Sequence, residues 1–242
     1  MANLARFFVL GGFCLAISAC SRPVPGAEFN DPYEEANRAV HADNVKLDSL
    51  VFGSVHPREH PILPKPIAQS LSNAAANLGM PGAVINSVLQ FRPGPALQNT
   101  LRFAVNSTIG LAGLFDPASS IGIYAEDTDF GETLHVWGAP EGAFIVVPVM
   151  GPTTERDLVG SVVDLALDPL GAVGRPESYY IGASRVGGKV GDRSLYSDLI
   201  DPILYESADS YAQMRLLYLQ NRHHQLGIEE DVFDPYEDPY GQ

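Results

Sequence analysis

Residues 103–125, FAVNSTIGLAGLFDPASSIGIYA, carry a single formal charge, Asp116. The stretch is long enough to cross a bilayer, since about 20 apolar residues suffice. As a lipid-facing span, however, it would fail. Gly110, Gly113 and Gly122 interrupt it and Asp116-Pro117 breaks it, while Asn106, Ser107, Thr108, Ser119 and Ser120 bring polar groups that hydrocarbon would leave unsatisfied. Such a segment either packs into a protein core or lies against lipid without crossing it.

The N-terminus bears on that choice. Residues 1–19 read as a signal peptide, with Arg6 near the start and FFVLGGFCLAISA ending in small residues. Ile17-Ser18-Ala19-Cys20 resembles the bacterial lipobox, in which the cysteine sulfur receives a diacylglycerol and cleavage leaves that cysteine first. In lipoproteins an Asp in the next place retains the chain at the inner membrane; Ser21 stands there and implies export to the outer membrane. An ordinary secretory peptide cut near Ala19 is the other reading, and it leaves Cys20 without a use. Cys14 and Cys20 are the only cysteines, and Cys14 leaves with the signal. One remaining thiol can form neither an internal disulfide nor a cysteine zinc site. Acylation on sulfur and nitrogen is its evident purpose, and two or three chains at about 0.8 kcal/mol per buried CH2 anchor a protein firmly. Beyond that covalent lipid, no cofactor is expected.

The formal charge is −14, and six acids sit in the final stretch EEDVFDPYEDPYGQ. No basic patch exists to neutralise phosphates, so nucleic-acid binding is excluded. Electrostatic attraction to anionic membrane surfaces is equally unsupported, and any lipid contact must be apolar.

The chain divides into a signal peptide (1–19), a Pro/Gly tether carrying the lipid (20–28), a body (29–227) and an acidic tail that reads as disordered (228–242). Within the body, Asp31-Pro32 is a helix-start signature, Asp as N-cap and Pro at N1. HPREHPILPKP (56–66) is a Pro-rich loop. Residues 67–79 predict a helix ending at Gly79 before Pro81, and residues 82–91 a second one stopped by Arg92-Pro93-Gly94-Pro95. Two helical pieces joined near residues 110–113 follow. TLHVW and AFIVVPV flank Gly138-Ala139-Pro140-Glu141-Gly142 and predict a hairpin over about 133–149. Residues 153–170 are helical with Thr153 or Thr154 as cap, 171–191 form a Gly-rich connection, and Ser207 or Asp209 caps a last helix ending at Gly227. The expected fold is mainly α: many short helices in one domain, with one short β-hairpin.

A search for chemistry finds no catalytic residue. Ser184 in GASRV lacks the second glycine of a nucleophile elbow. GASRVGGKV departs from a phosphate loop at its first glycine and at Val190. His56 and His60 have the spacing of metal ligands on a helix turn, but Pro57 and Pro61 argue against a helix and no third ligand is near. His223 and His224 point to different faces, and Asn106 reads as a helix cap. Neither an enzyme nor a metal site is expected. On the final helix, Tyr211, Arg215, Tyr218 and Arg222 share one face. The plain reading is a solvated face with Arg stems on Tyr rings; the sharper one has the two arginines guiding a phosphate.

Several blocks carry a resemblance. NAAANLGMPGAVINSVLQ (73–90), RFAVNSTIGLAGLFDPA (102–118) and DFGETLHVWGAPEGAFIVVPVMGPTTERDLVG (129–160) resemble the MlaA/VacJ family of outer-membrane lipoproteins. FNDPYEEANRAV (29–40) and DSYAQMRLLYLQNR (209–222) do so too, in chain order. Asn73, Asn77, Leu78, Pro81, Asn86, Leu89 and Gln90 meet one family pattern; Asn106 to Thr108, Gly110, Gly113 and Asp116 meet another. His135, Ala143-Phe144, Ser210 and Ala36 depart from it locally. The resemblance implies a ring-like helical body embedded in the periplasmic leaflet of the outer membrane and held by a trimeric porin. It implies removal of phospholipids mislocalised to the outer leaflet and their transfer to a periplasmic carrier. On that reading Gly110, Gly113, Arg215 and Arg222 belong to the lipid passage. The alternative is a structural lipoprotein that tethers other envelope proteins without moving lipid.

Overall fold

Proline and glycine set most of the joints. A computed structural model describes residues 29–52, 63–171, 173–174 and 177–228. The signal peptide, Cys20, the tether, most of the Pro-rich loop with His56 and His60, and the acidic tail lie outside the described residues.

Helix α1 spans Glu34–Phe52. It starts later than Asp31-Pro32 suggests, because Asp31 is drawn into tertiary bonds: its carboxylate accepts from Asn37 Nδ2, Arg215 Nη1 and the Tyr211 hydroxyl. Helix α2 is a single element, Lys65–Leu89, where two were expected. Pro81 lies inside it and removes one backbone hydrogen bond, a defect worth ~3 kcal/mol in an isolated helix. Packing restores the helix. Helix α3, Pro93–Thr108, lies along one side of α2, and α7, Glu177–Leu195, makes the most extensive contact along the other.

Helix α7 replaces the Gly-rich connection expected over 171–191, and its glycines are what seat it. A Cβ on Gly188 would fall 2.1 Å from the Ala75 Cβ, and one on Gly191 would fall 2.6 Å from the Ala68 carbonyl oxygen. Gly187, Gly188 and Gly191 thus let two helix backbones approach as closely as small residues permit. After α3 the chain turns through residues 109–115, around the joint expected near 110–113, and the second helical piece is only the one-turn helix α4, Pro117–Ser120.

The hairpin forms one strand later than expected. Residues 133–136 belong to helix α5, Phe130–Val136, capped by Asp129, whose side chain accepts from Glu132 N. The pair is β1, Phe144–Val147, against β2, Gly151–Thr154, antiparallel with Phe144 opposite Thr154. Thr154 then caps α6, Glu155–Leu167, by accepting from Asp157 N. The chain continues through α8, Ser197–Asp201, a π-helical turn, Pro202–Glu206, and α9, Ser210–Gln225, with Asp209 as cap.

Apolar burial concentrates in one place. Phe144, Val146, Tyr211 and Leu219 form the core cluster, with Phe29, Val40, Met214 and Tyr218 packed on it. Phe144 meets Tyr211 edge-on at 6.2 Å. The α9 face read as solvated is therefore buried.

Candidate functional site

Helix α3 shows how the rest of the molecule is built. Its buried side chains are Ala96, Asn99, Arg102 and Asn106, while Leu97, Leu101 and the neighbouring Ile109 stand outside. The amphipathic pattern is the reverse of a soluble surface helix. The polar face is fully engaged. Asn99 bonds both backbone groups of Glu126, at 2.8 and 3.1 Å. Arg102 donates to Asp116 at 2.6 Å and to the Ile123 carbonyl at 2.7 Å. Asn106 donates to Asp116 and accepts from Ala118 N, both at 3.0 Å, so it serves α4 across space and does not cap its own helix.

The turn that closes this layer needs its glycines. Leu111, Ala112 and Gly113 are successive left-handed residues, with φ of 52°, 58° and 90°. At Gly113 a Cβ would also meet the Asn77 Cβ at 2.5 Å; at Gly110 it would meet the carbonyl oxygens of Asn106 and Phe115 at 2.4 and 2.5 Å.

The inversion extends beyond α3. Among the described residues, 15 polar or charged side chains are buried against 13 hydrophobic ones, while 31 large hydrophobics are exposed. A fold surrounded by water shows the opposite preference. No helix among the described residues is long and apolar enough to cross a membrane.

Three cavities adjoin one another, two along α2 and a third between the hairpin, α6 and α9. The first, about 360 Å³, lies between Gly79, Gly82, Asn86 and Ala83 of α2, Asp164 of α6 and Arg185 of α7. The second, about 260 Å³, shares Gly79, Ala83 and Thr128 with it. A third, about 320 Å³, shares Asp129, Arg222 and Gln225 with the second and reaches Met150 at the hairpin tip. Six carboxylates and two guanidiniums line the set.

Behind the first cavity stands a web of polar side chains. Asn86 donates to Asp164 Oδ1 at 2.7 Å and accepts from Thr133 Oγ1 at 2.9 Å. Gln90 donates to Thr128 and Thr133 at 2.7 and 2.9 Å. Phe130 N donates to Asp164 Oδ2 at 2.9 Å. Burial pushes the Asp164 carboxyl above its ordinary range, more than these hydrogen bonds lower it. At the same cavity Arg185 pairs with Asp168 at 2.7 Å.

Arg222 separates the second and third cavities. It donates to Asp157 and Asp129, each in bidentate fashion at 2.8 and 2.9 Å, and also to Gln225 at 3.3 Å. Its five N–H donors are all used. Burial opposes its charge, but the two carboxylates outweigh that and hold it more firmly protonated than a free arginine. Asp157 also accepts from the Tyr218 hydroxyl at 2.9 Å. Arg215 donates to Asp31 at 2.6 Å and lies over the rings of Phe29 and Tyr211. Both arginines are thus bound to carboxylates in the described structure, although Arg215 keeps a buried Nε without a partner. Gly110 and Gly113 shape the outer turn after α3 and line none of the three cavities. The four passage residues named from the resemblance are not brought together.

Sequence reasoning missed Asp164, Arg185, Asp129 and Asp157. A signal did exist: polar residues at helical spacing within apolar helices, as at Asn99, Arg102 and Asn106, mark faces that need partners.

Fold and site define a helical protein that turns large apolar side chains outward and keeps polar ones inside and around open cavities. By sequence, this chain belongs to the MlaA lipoprotein family, whose model matches residues 29–225. It is 31% identical over 194 residues to an uncharacterized protein of Rickettsia prowazekii, covering 78% of this chain and 74% of the relative. It is 36% identical over 143 residues to the Haemophilus influenzae protein named intermembrane phospholipid transport system lipoprotein MlaA, covering 58% and 57%. The Escherichia coli protein of that name is 28% identical over 235 residues, covering 96% of this chain and 91% of its own. A solved structure concerned with maintenance of bacterial outer-membrane lipid asymmetry shares the fold, with a TM-score of 0.63 at 24% identity over 81% of this chain and 98% of that one.

Proposed function

We propose that this lipoprotein removes phospholipids mislocalised to the outer leaflet of the outer membrane and passes them to a periplasmic carrier. One observation carries the reading: buried Asn99, Arg102 and Asn106 oppose exposed Leu97, Leu101 and Ile109 on a single helix. A body with that polarity is stable with lipid outside and water inside, where irregular backbone such as residues 109–115 is tolerated. The names of the Haemophilus and Escherichia relatives support the same activity.

The acylated Cys20 anchors the chain to the periplasmic leaflet, and a trimeric porin holds it there. The cavity set serves as the passage. Drawing a two-chain phospholipid into water costs roughly 24 kcal/mol, from about 30 CH2 groups at 0.8 each. A wet polar route beside an apolar exterior lowers that barrier by letting the headgroup pass inside while the chains stay in lipid. The step breaks no covalent bond and needs no catalytic residue; direction comes from the partners or from a lipid gradient.

Cells lacking the protein are the test. Outer-leaflet phospholipid, read by a membrane-impermeant amine label, should rise on deletion and return with the wild-type gene. An unchanged outer leaflet would refute the proposal and favour a tethering role.

A further inference from the structure

Asp164 is a half-buried acid with no ion-pair partner among the described residues, Arg222 acting on it only from a distance. Its two oxygens are held by the Asn86 side-chain amide and the Phe130 backbone amide, and no Arg, Lys or His nitrogen among the described residues pairs with it. It faces the cavity of about 360 Å³ that Arg185 also lines. Arg185 is the one guanidinium of the cavity set with a partly exposed side chain, 37%, and with a single carboxylate partner, Asp168. Arg222, by contrast, has no donor left.

The wall opposite is bare for no reason internal to the protein. Gly79 and Gly82 sit inside helix α2, where glycine is unfavourable, yet an added Cβ at either would meet nothing within 4 Å. Close packing does not require these glycines, and their effect is room in the cavity.

We infer that this cavity seats the headgroup of a zwitterionic phospholipid, with its ammonium on Asp164 and its phosphate on Arg185. The inference rests on the proposed transport function and names its substrate class. A lipid carrying both charges supplies Asp164 with the cation it lacks and Arg185 with a second anion. An anionic lipid without an ammonium meets the surplus of carboxylates along the passage and is disfavoured. The small-residue wall admits the glycerol region beside the headgroup.

The full lipoprotein, purified in detergent and equilibrated with vesicles of equimolar phosphatidylethanolamine and phosphatidylglycerol, provides the test. Re-isolated protein should carry phosphatidylethanolamine in about fivefold excess over its share in the vesicles, the factor that one contact charge pair in a wet site supplies. Asp164→Asn should bring that ratio close to one without lowering total lipid. Asp168→Asn, which frees Arg185, should shift the bound lipid toward phosphatidylglycerol even if Asp164→Asn does not fold. Arg185→Gln should lower retention of both lipids alike. Bound phospholipid at the vesicle ratio, or a ratio that neither aspartate variant changes, would overturn the headgroup assignment alone. Protein that retains no phospholipid at all would overturn the transport reading beneath it. Added glycerophosphoethanolamine should leave the bound lipid in place; displacement by it would assign the seat to a soluble headgroup and overturn the lipid claim.

Discussion

Glycines in this chain do opposite jobs, and alanine substitution separates them. At Gly113 a side chain meets both a left-handed backbone and Asn77, so Gly113→Ala should destabilise by about 1–3 kcal/mol. At Gly79 and Gly82 the helix gains and nothing is crowded, so alanine should stabilise by about 0.5–1 kcal/mol while narrowing the first cavity. Thermal melting of the three variants gives the signs directly; a stabilising Gly113→Ala would contradict the turn as described. Asp116 offers a pH test in the same region. Burial pushes its carboxyl up, but Ser119, Asn106 and Arg102 together take it from 3.8 to about 2. A folded value below the unfolded one means stability present above pH 4 and lost as the pH falls toward 2. Acid melting should therefore loosen the 109–121 turn in wild type, and Asp116→Asn should flatten that part of the pH dependence.

Helices α2 and α7 are seated by what their contact lacks. Gly188→Ala puts a methyl group 2.1 Å from Ala75, so the helices must separate, at a cost of about 1–3 kcal/mol. Arg222 joins α9 to α6 and to the cap of α5 through Asp157 and Asp129. Arg222→Met removes the cation that Asp129 and Asp157 share, leaving Asp157 only Arg156 at 3.4 Å, and should cost about 3 kcal/mol. Simultaneous Asp129→Asn and Asp157→Asn changes should recover part of that loss in the methionine background. If Arg222→Met melted like wild type and only lipid transfer failed, the arginine would be a lipid contact, not a brace.

At the scale of the whole molecule, polarity inside and apolarity outside predict where lipid touches. Photoreactive phospholipid in reconstituted membranes should label cysteines placed at Leu97, Leu101, Ile109 and Ile121, all exposed, and spare Asn99 and Asn106, both buried. Labelling of the inner positions alone would invert the orientation argued from α3. Anchorage is tested separately. Cys20→Ala should abolish fatty-acid incorporation and release the protein from outer-membrane fractions; continued acylation would move the anchor elsewhere.

Much of this protein is legible in its chain alone. Proline, glycine and cap residues mark most helix ends, as at Thr154 and Asp209. These signals are local, and local chemistry writes them directly into the chain. The misreadings share a cause. Pro81 reads as a helix stop and Gly187-Gly188-Lys189-Val190-Gly191 as a loop, because neither shows by itself that a second helix lies alongside. Residues 133–137 alternate well enough for a strand, but Asp129 caps them into a helix whose Thr133 bonds Asn86 and Gln90. Arg215 and Arg222 look available in the sequence because their carboxylate partners lie 184, 93 and 65 positions away. Sequence determined which residues are polar and where helices can begin and end. Which polar groups face one another across a cavity was decided only by tertiary packing, since the free energy of burying a charge depends on partners that the chain brings together only when folded.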